Sequence, residues 1–113
     1  MTNNAYDQFV HSAQEHGRFT MEGDPAQGTA AFDRLLKVAV ALRAAPDKGA
    51  ASFLAMLRHP HESVKTWAAL YCLPIRGAEA RRELEVVASG TGLIVFNARM
   101  TLREWDAGRL KVP

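Results

Sequence analysis

The sequence predicts an all-α protein, one domain over residues 1–113 with about six helices paired as antiparallel hairpins. Three observations carry that expectation. Apolar residues recur at three- and four-residue spacing along almost the whole chain, and no segment alternates apolar with polar. Prolines and glycines punctuate this pattern at intervals suited to helices of two to five turns. The stretch His59–Leu73 also reappears, in its apolar outline, some thirty residues later.

The elements follow in order. Tyr6, Phe9, Val10 and Ala13 line one face of a first helix, leaving Asp7, Gln8 and Gln14 for water, and Gly17 and then Gly23 are expected to close it. In GDPAQG, Asp24 is suited to the N-cap, Pro25 to the first helical position and Gln27 to the capping-box position, so a second helix starts there. It carries Phe32, Leu35, Leu36, Val38, Ala39, Val40 and Leu42, which predicts burial on more than one side. Ala45-Pro46-Asp47 breaks the chain again, because a residue before proline is pushed out of the helical region, and Asp47 can cap the next helix.

Phe53, Leu54 and Leu57 mark a short third helix ended by His59-Pro60. The fourth is HPHESVKTWAALYCL, with Pro60 suited to its first turn, Val64, Trp67, Ala68, Tyr71 and Cys72 on one face and Leu70 and Leu73 widening it, so it is expected to be largely enclosed. Gly77 opens a fifth helix with Ala80, Leu84, Val87 and Ala88 inward, and its glutamates and arginines outward. Ser89-Gly90-Thr91-Gly92 forms the next turn. The sixth holds Ile94, Ala98, Thr101, Leu102 and Trp105 on a stripe and finishes near Gly108.

A chain of 113 residues that is 48% hydrophobic can bury about two thirds of its unfolded surface in one core. The net charge is +2, with acids and bases interleaved. Nucleic-acid proteins gather Lys and Arg on one element. The nearest approach here, Arg99, Arg103, Arg109 and Lys111, is mixed with Glu104 and Asp106 and reads first as a solvated face. No apolar run approaches the length of a membrane span, the first residues lack the pattern of a secretory signal, and the lone cysteine, Cys72, cannot close an internal disulfide. A cytoplasmic protein is expected.

The repeat is testable by register. An offset of thirty lays Val64 on Ile94, Ala68 on Ala98, Leu70 on Met100 and Cys72 on Leu102, while the third and fifth helices match at thirty-one, Phe53 on Leu84 and Leu57 on Ala88. Alanine at positions 68 and 98 lets helix axes approach to about 8 Å. With Pro60, Val64, Lys65, Ala68 and Ala69 in place, HPHESVKTWAAL resembles the second-helix signature of HEAT-like repeats. Residues 30 to 110, most specifically Val64–Leu73 and Ala98–Leu110, are similar to a small bacterial HEAT-like family known as a domain of unknown function. The resemblance implies a HEAT/armadillo-like α-α superhelix and carries over no catalytic residue. The second copy departs from the pattern: Val95 replaces the basic residue and Asn97 stands opposite Trp67.

Chemistry has few candidates. His59, His61 and Glu62 lie too close together at a helix entrance to converge on an ion without a further ligand, and neither H-E-x-x-H nor paired cysteines occur. His11 and Glu15 share a face as a surface ion pair, with His16 beside them. Cys72 lies among apolar neighbours, which argues against a nucleophile. Trp67 and Trp105 are assigned to packing. No enzyme activity, cofactor or metal is expected.

The expected function is therefore a non-catalytic protein-interaction or scaffold module of unknown partner. It would bind through the surface of its second helices, with Lys65, Thr66, Arg99 and Arg103 as candidate partner-binding residues. Nucleic-acid binding through the basic C-terminal helix ranks second, and a toxin-neutralising immunity role third. Leu93 to Phe96 are four successive apolar residues, so one of them, Val95 or Phe96, should protrude. It would then be covered by the tail carrying Leu110 and Val112 or used in a homodimer.

Overall fold

Asn4 starts the first helix by accepting the Asp7 N–H on its side-chain oxygen at 2.8 Å. In the computed structural model, which describes residues 4–47, 49–90 and 93–112, the chain forms six helices. They are α1 (Ala5–Glu22), α2 (Pro25–Arg43), α3 (Ala50–Met56), α4 (Glu62–Cys72), α5 (Gly77–Ala88) and α6 (Leu93–Asp106). Among the described residues there is no strand. Thr91 and Gly92 of the expected turn lie outside the described residues.

Local signals explain most boundaries. Gly23 adopts φ 69°, and the N–H groups of Gly23 and Asp24 close on the carbonyls of Thr20 and Phe19. This pair of bonds is the Schellman ending, which favours glycine because the left-handed conformation costs it nothing. Asp24 then accepts the Gln27 N–H at 3.1 Å and Pro25 opens α2 as expected. Asp47 accepts from Gly49 and Ala51 ahead of α3. Pro60 does not open α4 but precedes it: His61 is the cap, its Nδ1 accepting the Ser63 N–H at 3.2 Å, while His59 Nδ1 accepts the His61 N–H at 3.1 Å.

Two expectations of shape are corrected. Gly17 does not end α1: the helix runs through it to Glu22. Its glycine serves a tertiary purpose instead, because Gly17 faces Ser63 of α4 at a place with no room for a Cβ. Likewise α2 is buried along one side only, through Gly28, Ala31, Leu35, Ala39 and Leu42, and Val40 is exposed. Its principal neighbour is α1, so the rest of its apolar surface meets water or the core margin.

The centre of the fold is α4, which packs against α1, α3, α5 and α6. Ser63, Val64, Thr66, Ala68, Ala69, Tyr71 and Cys72 are all buried. Phe9, Phe53 and Tyr71 lock α1, α3 and α4 together: Phe53 stacks on Tyr71 at 5.4 Å, and Phe9 meets both rings edge-on. Burying each such side chain contributes about 1.5–3 kcal/mol. On α6 the inward stripe includes Val95 and Ala98, with Leu102 and Trp105 partly buried, and the tail residues Leu110 and Val112 pack against the core.

Ion pairs tie the last three helices at their surfaces. Arg81 of α5 meets Asp106 of α6 at 2.7 Å, and Lys65 of α4 meets Glu83 of α5 at 3.5 Å. Being exposed or half-exposed, such pairs contribute about 0–1 kcal/mol each. They orient the helices more than they hold them.

Candidate functional site

Three helices, α1, α4 and α6, pack against one another. The close approach of Gly17 to Ser63, with Ile94 also beside it, brings their axes together at one end. Beyond this junction larger side chains hold the helices apart, leaving a groove of about 280 Å³. Thr66, Trp67 and Leu70 of α4 face Asn97, Met100 and Thr101 of α6 across it, and His16 of α1 closes the third side. Trp67 and Leu70 on one wall and Asn97 and Met100 on the other stand thirty residues apart in the sequence.

The polar groups of this groove are unusual. His16 Nδ1 and Thr66 Oγ1 are buried and have no hydrogen-bond partner among the described residues. Helical threonines commonly return their hydroxyl to the carbonyl four residues back. Thr20 does so to His16 and Thr101 to Asn97, whereas Thr66, only 5% exposed, does not. A buried polar atom without a partner costs about 1–3 kcal/mol.

An aromatic wall supports the same place. The Trp67 ring lies 5.5 Å from Phe32 and meets His16 edge-on at 5.2 Å. Burial disfavours the imidazolium and lowers the His16 pKa from its ordinary 6.5. No Asp, Glu, Lys or Arg lines the groove.

Of the four candidate partner-binding residues, the structure brings only Thr66 to this groove, and it is a buried part of the wall rather than an exposed contact. Lys65 turns to Glu83. Arg99 donates to the carbonyls of Ala88 and Gly90 at 2.9 and 3.4 Å and so finishes α5. Arg103 is exposed. Of the self-association pair, Val95 is buried at 2% exposure, which removes it as a contact, whereas Phe96 is 60% exposed although the tail packs on the core. Successive helical residues point about 100° apart, so Val95 turns into the fold while Phe96 turns outward.

Other candidates take structural places. His59 and His61 serve the α4 entrance, and among the described residues no three metal-ligating side chains gather. Glu15 accepts from Arg18 at 2.7 Å, which corrects the expected His11 pair. That bond lowers the Glu15 pKa, with His11 a lesser contributor. Cys72 is fully buried, and burial, helped by the charge of Glu79, pushes its thiol up to about 12. Among the described residues no helix is long and apolar enough to cross a membrane.

Sequence reasoning gave His16, Trp67, Asn97 and Met100 no shared role. The offset that pairs positions 67 with 97 and 70 with 100 was the available signal for two walls. Nothing in the pattern announced the third wall, since His16 comes from a helix outside the repeat.

The solved structure of protein RPA1889 from Rhodopseudomonas palustris CGA009 is similar to this chain over its whole length. It has a TM-score of 0.86 and 22% sequence identity, and the match covers 100% of this chain and 94% of that one. The likeness extends to the fold. No protein-family model and no curated protein matches the chain.

Proposed function

We propose that this chain is a non-catalytic protein-interaction module. In this reading its α3–α4 and α5–α6 hairpins stack as a short HEAT/armadillo-like α-α superhelix, and its partner sits in the groove on the second helices. The observation that supports the reading is the groove itself, walled by Trp67 and Leu70 of α4, by Asn97 and Met100 of α6 and by His16 of α1. A cytoplasmic place of action goes with a single unpaired thiol.

Nucleic-acid binding by the C-terminal helix has less support. Arg109 gives two hydrogen bonds to the Glu104 carboxylate, Arg81 is held by Asp106, and Arg99 is engaged with backbone carbonyls. Of the basic group only Arg103 and Lys111 then remain to meet phosphates.

The test compares wild-type chain with Met100→Glu, which introduces a charge into the groove wall, as baits in the source-cell lysate. A protein retained by the wild type and lost by the variant, with both showing the same helical circular dichroism, is the expected result. Capture indifferent to the substitution, or retention of nucleic acid alone with steep salt dependence, overturns the proposal.

A further inference from the structure

We propose that the pocket between α1 and α2 rimmed by His11, Arg34 and Lys37 is a docking site for an acidic, amphipathic peptide segment of a partner protein. One carboxylate of the segment meets the two cations of α2, and a neighbouring apolar side chain lies along the same helix. The site is built from elements other than the groove on the second helices, and neither assignment needs the other.

Helical spacing places the parts. His11 and Ser12 of α1 face Arg34, Lys37 and Val38 of α2 around a pocket of about 340 Å³. Ser12 is buried and Val38 half-buried, so they form its floor, while His11, Arg34 and Lys37 are exposed at its rim. Arg34 and Val38 are one turn apart on α2, and Lys37 stands beside them at the three-residue spacing.

The charge at the rim is uncompensated. No acidic side chain lines the pocket. Among the described residues, none of His11, Arg34 and Lys37 forms a close ion pair. Glu15 feels both His11 and Arg34, but its carboxylate is engaged by Arg18, which donates to it at 2.7 Å. The donors of Arg34 and Lys37 are therefore open to an entering anion, and the arginine fork matches a carboxylate with two parallel bonds.

The surroundings select the kind of anion. Asp33 precedes Lys37 by one turn, and Asp7 and Glu15 stand one turn to either side of His11. A strand of evenly spaced phosphates crossing the pocket would be repelled by these carboxylates, whereas a single carboxylate enters between them. One turn beyond Lys37 the surface is apolar: Val40 is 49% exposed, and Ala41 is exposed beside it. The aliphatic stems of Arg34 and Lys37 extend this strip. An inorganic anion gains nothing from it, while a peptide with an acidic residue next to an apolar one gains from both parts.

The experiment titrates full-length chain into short, blocked fluorescent peptides of three patterns: alternating Leu and Glu, alternating Leu and Gln, and alternating Ser and Glu. By anisotropy, the Leu and Glu peptide is expected to bind saturably and about tenfold more tightly than either of the others. Arg34→Gln and Lys37→Gln, both at exposed positions, are each expected to weaken it by about three- to tenfold with unchanged helical circular dichroism. Arg82→Gln, which removes an exposed cation of α5 outside the pocket, is expected to leave binding unchanged. In isotope-labelled chain the NMR shifts at saturation are expected at Ser12 and Val38.

Equal binding of the Leu and Gln peptide removes the charge argument, and equal binding of the Ser and Glu peptide removes the apolar one; either result overturns the assignment. So does a loss shared by Arg82→Gln, tighter binding of a short single-stranded DNA, or no saturable binding at all. Shifts centred on Trp67 rather than Val38 would put the peptide in the groove on the second helices and overturn the α1 and α2 site alone.

Discussion

Ser63 of α4 stands where a side chain on Gly17 of α1 would have to be: a Cβ built at Gly17 lies 2.9 Å from the Ser63 Cβ and closer still to its Oγ. Two backbones are thereby brought together at one end of the groove. Glycine inside a helix ordinarily costs about 1 kcal/mol against alanine, so Gly17→Ala should stabilise α1 considered alone. In the folded chain the clash reverses the sign. Urea denaturation is expected to show a loss of about 1–3 kcal/mol for Gly17→Ala. Combining it with Ser63→Gly should recover part of that loss, giving a coupling energy in the double-mutant cycle. Additive effects would mean the two residues do not meet.

Thr66→Val should make the protein more stable. The substitution keeps the shape and removes a buried hydroxyl that has no partner, worth about 1 kcal/mol or more. A rise in the urea midpoint at unchanged m-value is the expected result. A fall would mean that the hydroxyl is satisfied in the unliganded protein.

Cys72 should be inert in the native state. It is fully buried and burial pushes its thiol up to about 12, so both access and thiolate fraction oppose reaction. A colorimetric disulfide reagent at mildly alkaline pH should label no thiol in the folded chain and one per chain in denaturant. Rapid native labelling would show an open Cys72.

Acid should weaken the fold through His16. Its folded pKa lies below the ordinary 6.5 because burial penalises the charged ring, so the unfolded chain takes up this proton first as pH falls. The contribution of the neutral ring to stability is complete above about 6.5 and is lost as pH falls through the lower folded value. NMR titration should give His16 a midpoint under 6.5, and His16→Gln should flatten the dependence of the urea midpoint on pH in that range. A midpoint at or above the ordinary value would contradict the burial argument.

Val95 and Phe96 should respond oppositely to one change. Val95→Asp puts a carboxylate into a fully packed site and should leave the chain unfolded or molten by near-ultraviolet circular dichroism. Phe96→Asp, at an exposed position, should alter stability by no more than about 0.5 kcal/mol.

Much of this molecule can be read from residue spacing. Six helices, the caps at Asp24 and Asp47, the enclosure of α4 and the burial of Cys72 all follow from local rules: apolar period, the geometry of proline, and short polar side chains that bond nearby N–H groups. These rules act within a few residues, so one chain segment carries them whole. Gly17 shows their limit. Read locally it is a helix stop, yet α1 runs through it, and the missing side chain makes room for Ser63, forty-six positions away. The groove depends on the same kind of information. Its walls come from α1, α4 and α6, and whether Thr66 bonds its own helix, or Arg99 faces solvent or the end of α5, is a matter of what other helices bring beside them. Periodicity states which side of a helix is apolar. Which neighbour covers that side, and which polar atom is then left without a bond, depends on packing between segments distant in the chain.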